Sequence, residues 1–246
     1  MTEFKPGDAA SVQDLFETIA PRYDQLNDLL SLGLHRIWKR QALLWVSPQP
    51  GERMLDLCCG TGDLALLLAD RVRPGGQVIG LDAAAAPLQV AAGRAALQPW
   101  LPVGWQQADA LATGLPEATA DGAVMAYGLR NLSDPGAGLR ELRRLLRPGG
   151  RAAVLDFNRL EQPDGARSSR AVEAALAGFQ RLYLRRVVVP VARWFELPDH
   201  YAYLEASLQR FPTGAEQQVL AGAAGFAQAR HRPLAAGLMG LLELVA

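Results

Sequence analysis

The chain has 246 residues, half of them hydrophobic and 20% charged, an ordinary globular composition with room for one large α/β domain or two small ones. Twenty-five basic residues balance twenty-five acidic ones, which gives no support to general nucleic-acid binding. The only cysteines, Cys58 and Cys59, are adjacent and have no His or Cys partner nearby. That argues against a mutual disulfide and against zinc, and with no secretory signal or bilayer-length apolar run a cytoplasmic, reducing setting is expected.

Residues 1–10 lack a pattern. From Ser11, a potential helix cap, apolar residues recur at Val12, Leu15, Phe16 and Ile19 with helix spacing, until Pro21 ends or kinks the run. The latter part of residues 23–46, with Leu34, Ile37, Trp38 and Leu43–Trp45, predicts a helix covering a sheet. A regular alternation follows: strand 53–58, helix 62–72, strand 77–82, helix 85–97, strand 103–107, strand 122–127, helix 134–146 closed by Pro148-Gly149-Gly150, and strand 151–157. Such repetition predicts an α/β fold, a mostly parallel Rossmann-like sheet with helices on both faces and the ligand at the strand C-termini. From about 159 the pattern changes to a helical run at 171–189 and an aromatic-rich segment. Residues 226–246 alternate in places and predict a hairpin at the sheet edge. The expected organisation is one domain: a helical cover at 11–47, a core at 48–158, a helical insert at 159–212 and edge strands at 213–246.

Residues 51–65, GERMLDLCCGTGDLA, are the chemical centre of this plan. A buried strand runs into Gly60-Thr61-Gly62-Asp63 and then a helix, which brings backbone close to a ligand at a helix N-terminus; a Cβ there would block the ligand or forbid the turn. Three readings stand on these letters. Gly60-x-Gly62-x-x-Ala65 with Asp82 fits a dinucleotide fingerprint; the same residues with Asp56 fit the first motif of S-adenosylmethionine (SAM) methyltransferases; the third is a glycine turn with no ligand. Asp82, ending the second strand, suits the hydroxyls of an adenosine ribose, or else caps the next helix. Asp109-Ala110 after the third strand suits an adenine amine, which tilts the choice towards SAM. Ala126 and Tyr127 end the fourth strand beside the same crevice.

Further segments carry a resemblance. Residues 23–38 (YDQLNDLLSLGLHRIW), Gly128-Leu129-Arg130-Asn131, and Leu146–Arg151 through Leu155-Asp156-Phe157 resemble, in order, the signatures of the quinone-biosynthetic C-methyltransferases of ubiquinone and menaquinone synthesis. Leu26 stands where that family usually has Met, and Asp156-Phe157-Asn158 where it commonly has Glu-x-Ser. With Cys58-Cys59, VVVPVA at 187–192 and Phe211-Pro212-Thr213-Gly214, these departures look more like the branch in oxygenic phototrophs that methylates the phytyl-naphthoquinone precursor of phylloquinone.

The resemblance implies a class I SAM-dependent methyltransferase without metal, whose partner is a lipophilic quinol, with no nucleic acid. A quinone carbon is electron-poor, so the ring should react as the hydroquinone, aligned with the methyl group and helped to lose its phenol proton. Arg130 either gives that help, as a cation lowering the phenol pKa or orienting a water, or pairs with Asp156 on the next strand. Tyr23 and Asp24 are expected on a cover over SAM, stiffened by Asn27 and His35. His35 is also a candidate base, although its helical neighbours suit a hydrogen-bonded structural histidine. The SAM site is expected to use Tyr23, Asp56, Gly60, Thr61, Gly62, Asp82, Asp109, Ala110, Ala126 and Tyr127. His200 and His231 lack a supporting motif, and Tyr201 and Tyr203 suit a quinol pocket or ordinary packing. Arg181, Arg185 and Arg186 among Leu182, Tyr183 and Leu184 suit either peripheral membrane contact or a helix with one solvated and one packed face.

Overall fold

The first strand, β1 (Arg53–Leu57), sets the logic of the sheet. Leu55 and Leu57 enter one hydrophobic cluster and Met54 the other, because successive side chains of a strand leave opposite faces. The structure, a computed structural model, describes residues 9–19, 31, 33–159 and 207–246. Tyr23, Asp24, Asn27, Arg181, Arg185, Arg186, His200, Tyr201 and Tyr203 lie outside the described residues.

In chain order the elements are α1 (Ala9–Ile19), α2 (His35–Val46), β1, α3 (Asp63–Arg71), β2 (Gln77–Asp82), α4 (Ala85–Ala96), β3 (Val103–Gln107), β4 (Ala120–Ala126), a 3-10 turn (Leu129–Asn131), α5 (Pro135–Leu145), β5 (Leu146–Phe157), α6 (Gly214–Ala223), β6 (Gln228–Leu234) and β7 (Met239–Val245). The seven strands form one sheet in the order β3-β2-β1-β4-β5-β7-β6. β1 to β5 pair in parallel, and β7 runs antiparallel to both β5 and β6. The strand order reverses between β1 and β4, which places a ligand crevice at the C-terminal ends of these two strands.

The sheet is covered on both sides. Leu139, Leu142 and Leu145 of α5 and Ala221 of α6 share a core with Leu55, Leu57 and Met125; Ala42 and Val46 of α2 and Leu64 and Leu68 of α3 share the other with Met54, Val124 and Leu155. Three differences from the sequence reading have physical causes. α1 begins at Ala9, so Ser11 lies inside the helix rather than capping it. β5 begins at Leu146, which pairs with Ala120, and the Pro148-Gly149-Gly150 stretch is a bulge within the strand. That bulge is pinned where Gly149 N donates to Ala246 O and Ala246 N donates to Gly150 O. Finally, the 213–246 segment holds a helix before its hairpin. Thr213 and Glu216 form a reciprocal capping box that starts α6, while Pro233 is tolerated in β6 because that strand is the sheet edge. His231 fills the space left by Gly214 and Gly240, where an added Cβ would fall within 2.5 Å of its ring.

Candidate active site

A cavity of about 240 Å³ opens at the C-terminal ends of β1, β2 and β4. Cys58, Gly60, Asp82, Asp109, Ala110, Ala126 and Tyr127 line it, and Val12 and Gln13 of α1 reach it from above. Thr61 and Gly62 of the same turn do not, nor does Asp56 of β1.

Two strand ends shape the floor. Cys58 (φ 54°) and Tyr127 (φ 61°) both adopt the left-handed conformation that non-glycine residues avoid, at a cost of about 1–3 kcal/mol each. Each turns its chain sharply out of the sheet. The two turns touch: a Cβ on Gly128 would meet Cys58 Cβ at 2.6 Å. After Cys58, Gly60 (φ 54°) and Gly62 (φ 84°) supply the dihedrals for entry into α3. The crowding at Gly62 comes from the protein rather than from the ligand side, since its Cβ would meet Trp105 Cη2 at 2.5 Å and Ala91 Cβ at 3.0 Å.

Asp82 joins the turn to the next strand. One carboxylate oxygen accepts from Gly60 N (2.8 Å) and the other from Ala84 N (3.0 Å). Burial in the crevice pushes its pKa up, against the lowering effect of those N–H donors. Asp109 accepts from Leu111 N (2.9 Å) and so shapes the loop that carries Ala110. Asp56 lies in β1 on the α2/α3 side. Burial raises its pKa to about 8, outweighing the opposing pull of Lys39 and of Ala65 N–H, and its Oδ2 has no hydrogen-bond partner among the described residues.

Arg130 sits behind the β4 turn and outside the cavity wall. Its Nη1 donates to Asp156 Oδ1 (2.6 Å) and to Tyr127 O (2.9 Å), its backbone N–H donates to Asp156 Oδ2 (3.1 Å), and both side chains are buried. Asn131 Nδ2 also donates to Tyr127 O (2.9 Å), so the strained Tyr127 carbonyl is held twice. His35, buried at the start of α2, is hydrogen-bonded through Nδ1 to Ser31 Oγ (2.8 Å) and does not line the cavity.

Several site residues carry no motif in the sequence. Asp63, at the start of α3, is paired with Lys39 (2.8 Å) and Arg94 (2.7 Å). Burial alone would raise its pKa, but the two cations hold it at about 2. Arg94 also donates to Thr61 O (3.0 Å), which ties α4 to the glycine turn. Glu17 of α1 accepts from Ala85 N (2.6 Å) and Ala86 N (2.8 Å), closing the N-terminus of α4 beside the cavity. Nothing in periodicity marks Lys39, Arg94 or Glu17, because each acts on an element distant in sequence.

The lining contains two aspartates and, among the described residues, no Lys, Arg or His. Such a wall suits a cationic adenosine ligand and is poorly matched to the diphosphate of a dinucleotide. The two carboxylates that line the crevice, Asp82 and Asp109, have the chemistry to accept from ribose hydroxyls and an adenine amine, so the residues present fit SAM.

Strand order, crevice and acidic wall together define a Rossmann-like class I methyltransferase. The family model described as the ubiE/COQ5 methyltransferase family matches residues 3–242, and the chain belongs to that family. It is 49% identical, over 96% of its own length and 97% of the relative's, to the 2-phytyl-1,4-naphtoquinone methyltransferase of Synechococcus elongatus. It is 48% identical, over 94% and 93%, to the protein of that name in Synechocystis, and 42% identical, over 93% and 84%, to the chloroplastic 2-phytyl-1,4-beta-naphthoquinone methyltransferase of Arabidopsis thaliana. Among solved structures, a SAM-dependent methyltransferase from Aquifex aeolicus has a TM-score of 0.57 at 17% identity and covers 99% of each chain. The [4+2]-cyclase SpnF has a TM-score of 0.58 at 19% identity and covers 96% of this chain and 94% of its own. A cyclase on the same fold is a reminder that architecture alone does not assign a reaction.

Proposed function

We propose that the chain is a SAM-dependent C-methyltransferase that methylates the open ring carbon of a 2-phytyl-1,4-naphthoquinol, giving phylloquinol. The observation that carries this reading is the cation-free cavity lined by Asp82 and Asp109, taken with near-half identity to named relatives over nearly the whole chain. SAM supplies a methyl group on a positively charged sulfur. The acceptor carbon forms the new C–C bond as the S–CH3 bond breaks, and loss of the carbon's proton restores the aromatic ring.

The side chains have separate jobs in that scheme. Asp82 and Asp109 hold the adenosine end, and Gly60 and Cys58 bring backbone close to it. Tyr127 and Gly128 form the opposite lip, where the acceptor ring enters. Arg130 acts by fixing that lip through Tyr127 O and Asp156, a positioning role. The phytyl tail belongs in a bilayer and no helix among the described residues is long and apolar enough to cross one, which supports a meeting of protein and acceptor at the membrane surface.

The test is methyl transfer from labelled SAM to demethyl-phylloquinone, demethyl-menaquinone and a ubiquinone precursor, each with and without reductant. Turnover that needs reductant and is best on the phytyl acceptor is expected. Preference for either of the other acceptors moves the substrate within the family, and transfer to the oxidised quinone overturns the hydroquinone chemistry.

A further inference from the structure

Trp105 lies on β3 directly opposite Gly80 of β2, and neither it nor Gly80 lines the cavity. Its indole occupies the space that two glycines leave open. A Cβ on Gly80 would fall 2.5 Å from Cζ3 and 2.6 Å from Cε3, and a Cβ on Gly62 would fall 2.5 Å from Cη2 of the same ring edge. One six-membered ring therefore rests on the middle of β2 and on the residue that opens α3. An added Cβ would clash at either position, so the ring edge packs against the glycine backbone of both β2 and the turn, in the space their missing side chains leave. The other side of the turn faces the cavity: Gly60 lines it, and Gly60 N–H reaches across to Asp82.

Trp105 is half-buried on the edge strand of the sheet, and it packs against the core on the α2/α3 side as well as against the glycines of β2 and the cofactor turn. We propose that Trp105 is a positioning residue for the cofactor, a spacer that holds the Gly60–Gly62 turn where its backbone and Asp82 meet the adenosine end of SAM. The proposal rests on the SAM reading of this cavity. Shrinking the ring removes the support beneath the turn, which is then free to shift and to misalign Gly60 with the Asp82 carboxylate. Cofactor affinity should fall while the chemical step, once SAM is bound, continues.

Substitutions at Gly80 test the shared space, because its backbone does not need a positive φ whereas that of Gly62 does. Calorimetry with SAM is run on wild type, Trp105→Leu, Gly80→Ala and the double variant, with turnover at saturating SAM and melting temperature alongside. Each single substitution is expected to weaken SAM binding by about tenfold or more. The double variant should bind within about threefold of Trp105→Leu, because the added methyl then occupies the vacated space. Turnover of Trp105→Leu at saturating SAM should stay within about twofold of wild type, a split between affinity and rate that general loss of structure does not give. A double variant as weak as the product of the two singles, or a Trp105→Leu that melts lower but binds SAM normally, overturns the proposal. If Gly80→Ala does not fold, Trp105→Phe takes its place: binding intermediate between wild type and Trp105→Leu supports a spacer, and no graded loss overturns it. Failure of the wild type itself to bind SAM overturns the cofactor reading instead.

Discussion

The cavity's two lips solve one geometric problem with different physics. At the end of β1 and at the end of β4 the chain turns through a left-handed non-glycine residue, Cys58 and Tyr127. The β1 lip is held by a ring packed against glycines, by a hydrogen bond from Gly60 N to Asp82, and by the partly solvated Asp63–Lys39–Arg94 group. The β4 lip is held by one buried ion pair, Arg130–Asp156, whose guanidinium also holds the strained Tyr127 carbonyl. Packing and backbone donors can be shared with a ligand, whereas a buried charge pair cannot be disturbed without cost to the fold. On the proposed function, changes at the β1 lip should therefore act mainly on cofactor affinity, and loss of one partner of the β4 ion pair mainly on stability.

The largest expected effect separates the two. Asp156→Ala leaves the Arg130 guanidinium buried without its carboxylate and should destabilise the protein by about 3–5 kcal/mol, read by denaturant unfolding. Asp82→Ala should instead weaken SAM binding by about a hundredfold, measured by calorimetry, while changing stability by less than half as much as Asp156→Ala. Equal loss of stability in both variants would remove the distinction between the lips.

A smaller effect concerns pH. Asp56 is raised from 3.8 to about 8, so near neutrality the folded protein retains a proton that the unfolded chain has released. Its contribution to stability is therefore full below about pH 4 and is lost as pH rises through about 8. Binding of a cationic cofactor in the neighbouring crevice is expected to run the other way, because its charge acts through space to favour the ionised form of this buried carboxyl. SAM affinity should increase as pH rises towards 8, by at most about tenfold per unit, and then level off. In Asp56→Asn that part of the slope should vanish. Parallel pH profiles for the two proteins would show that Asp56 does not sense the cofactor.

How much of this was legible follows from where the determining contacts lie in the chain. The alternation from residue 53 to 157 was readable because hydrophobic period and glycine or proline punctuation are local, and β3 was placed to the residue. The place of Asp82, Asp109 and Tyr127 in one crevice was readable because parallel strands bring their C-terminal ends together. α6 was missed despite a local sign, Thr213 with Glu216 three residues on, because the expected edge strands drew attention to the alternation after it. Trp105 was not readable: the ring matters through Gly62 and Gly80, and only strand register places it against both. Gly62 meets the dihedral requirement that the turn imposes, and it also makes room for the Trp105 ring, which its sequence spacing does not reveal.

The roof offers the mildest test. α1 reaches the cavity through Val12 and Gln13 and is tied down by Glu17, which accepts from Ala85 N and Ala86 N, and by Gln13 Nε2, which donates to Ala83 O (3.1 Å). All of these partners are backbone groups of the β2–α4 turn that carries Asp82, so opening the roof and releasing the adenosine end disturb the same few residues. Glu17→Gln keeps the shape and one acceptor oxygen, but it puts an amide NH2 that cannot accept opposite the second backbone N–H and gives up a negative charge at a helix N-terminus, the charge worth about 0.3–1 kcal/mol where solvent reaches it. The cofactor's dissociation constant should rise by only about two- to fivefold. Its dissociation rate, followed by stopped-flow displacement, should account for most of that change, because a looser roof eases escape more than it hinders entry. The effect should shrink in high salt, as expected for a charge–dipole contact near the surface. An unchanged dissociation rate with a lowered melting temperature would make Glu17 a plain helix cap, and the roof would then be held by Val12 and Gln13 alone.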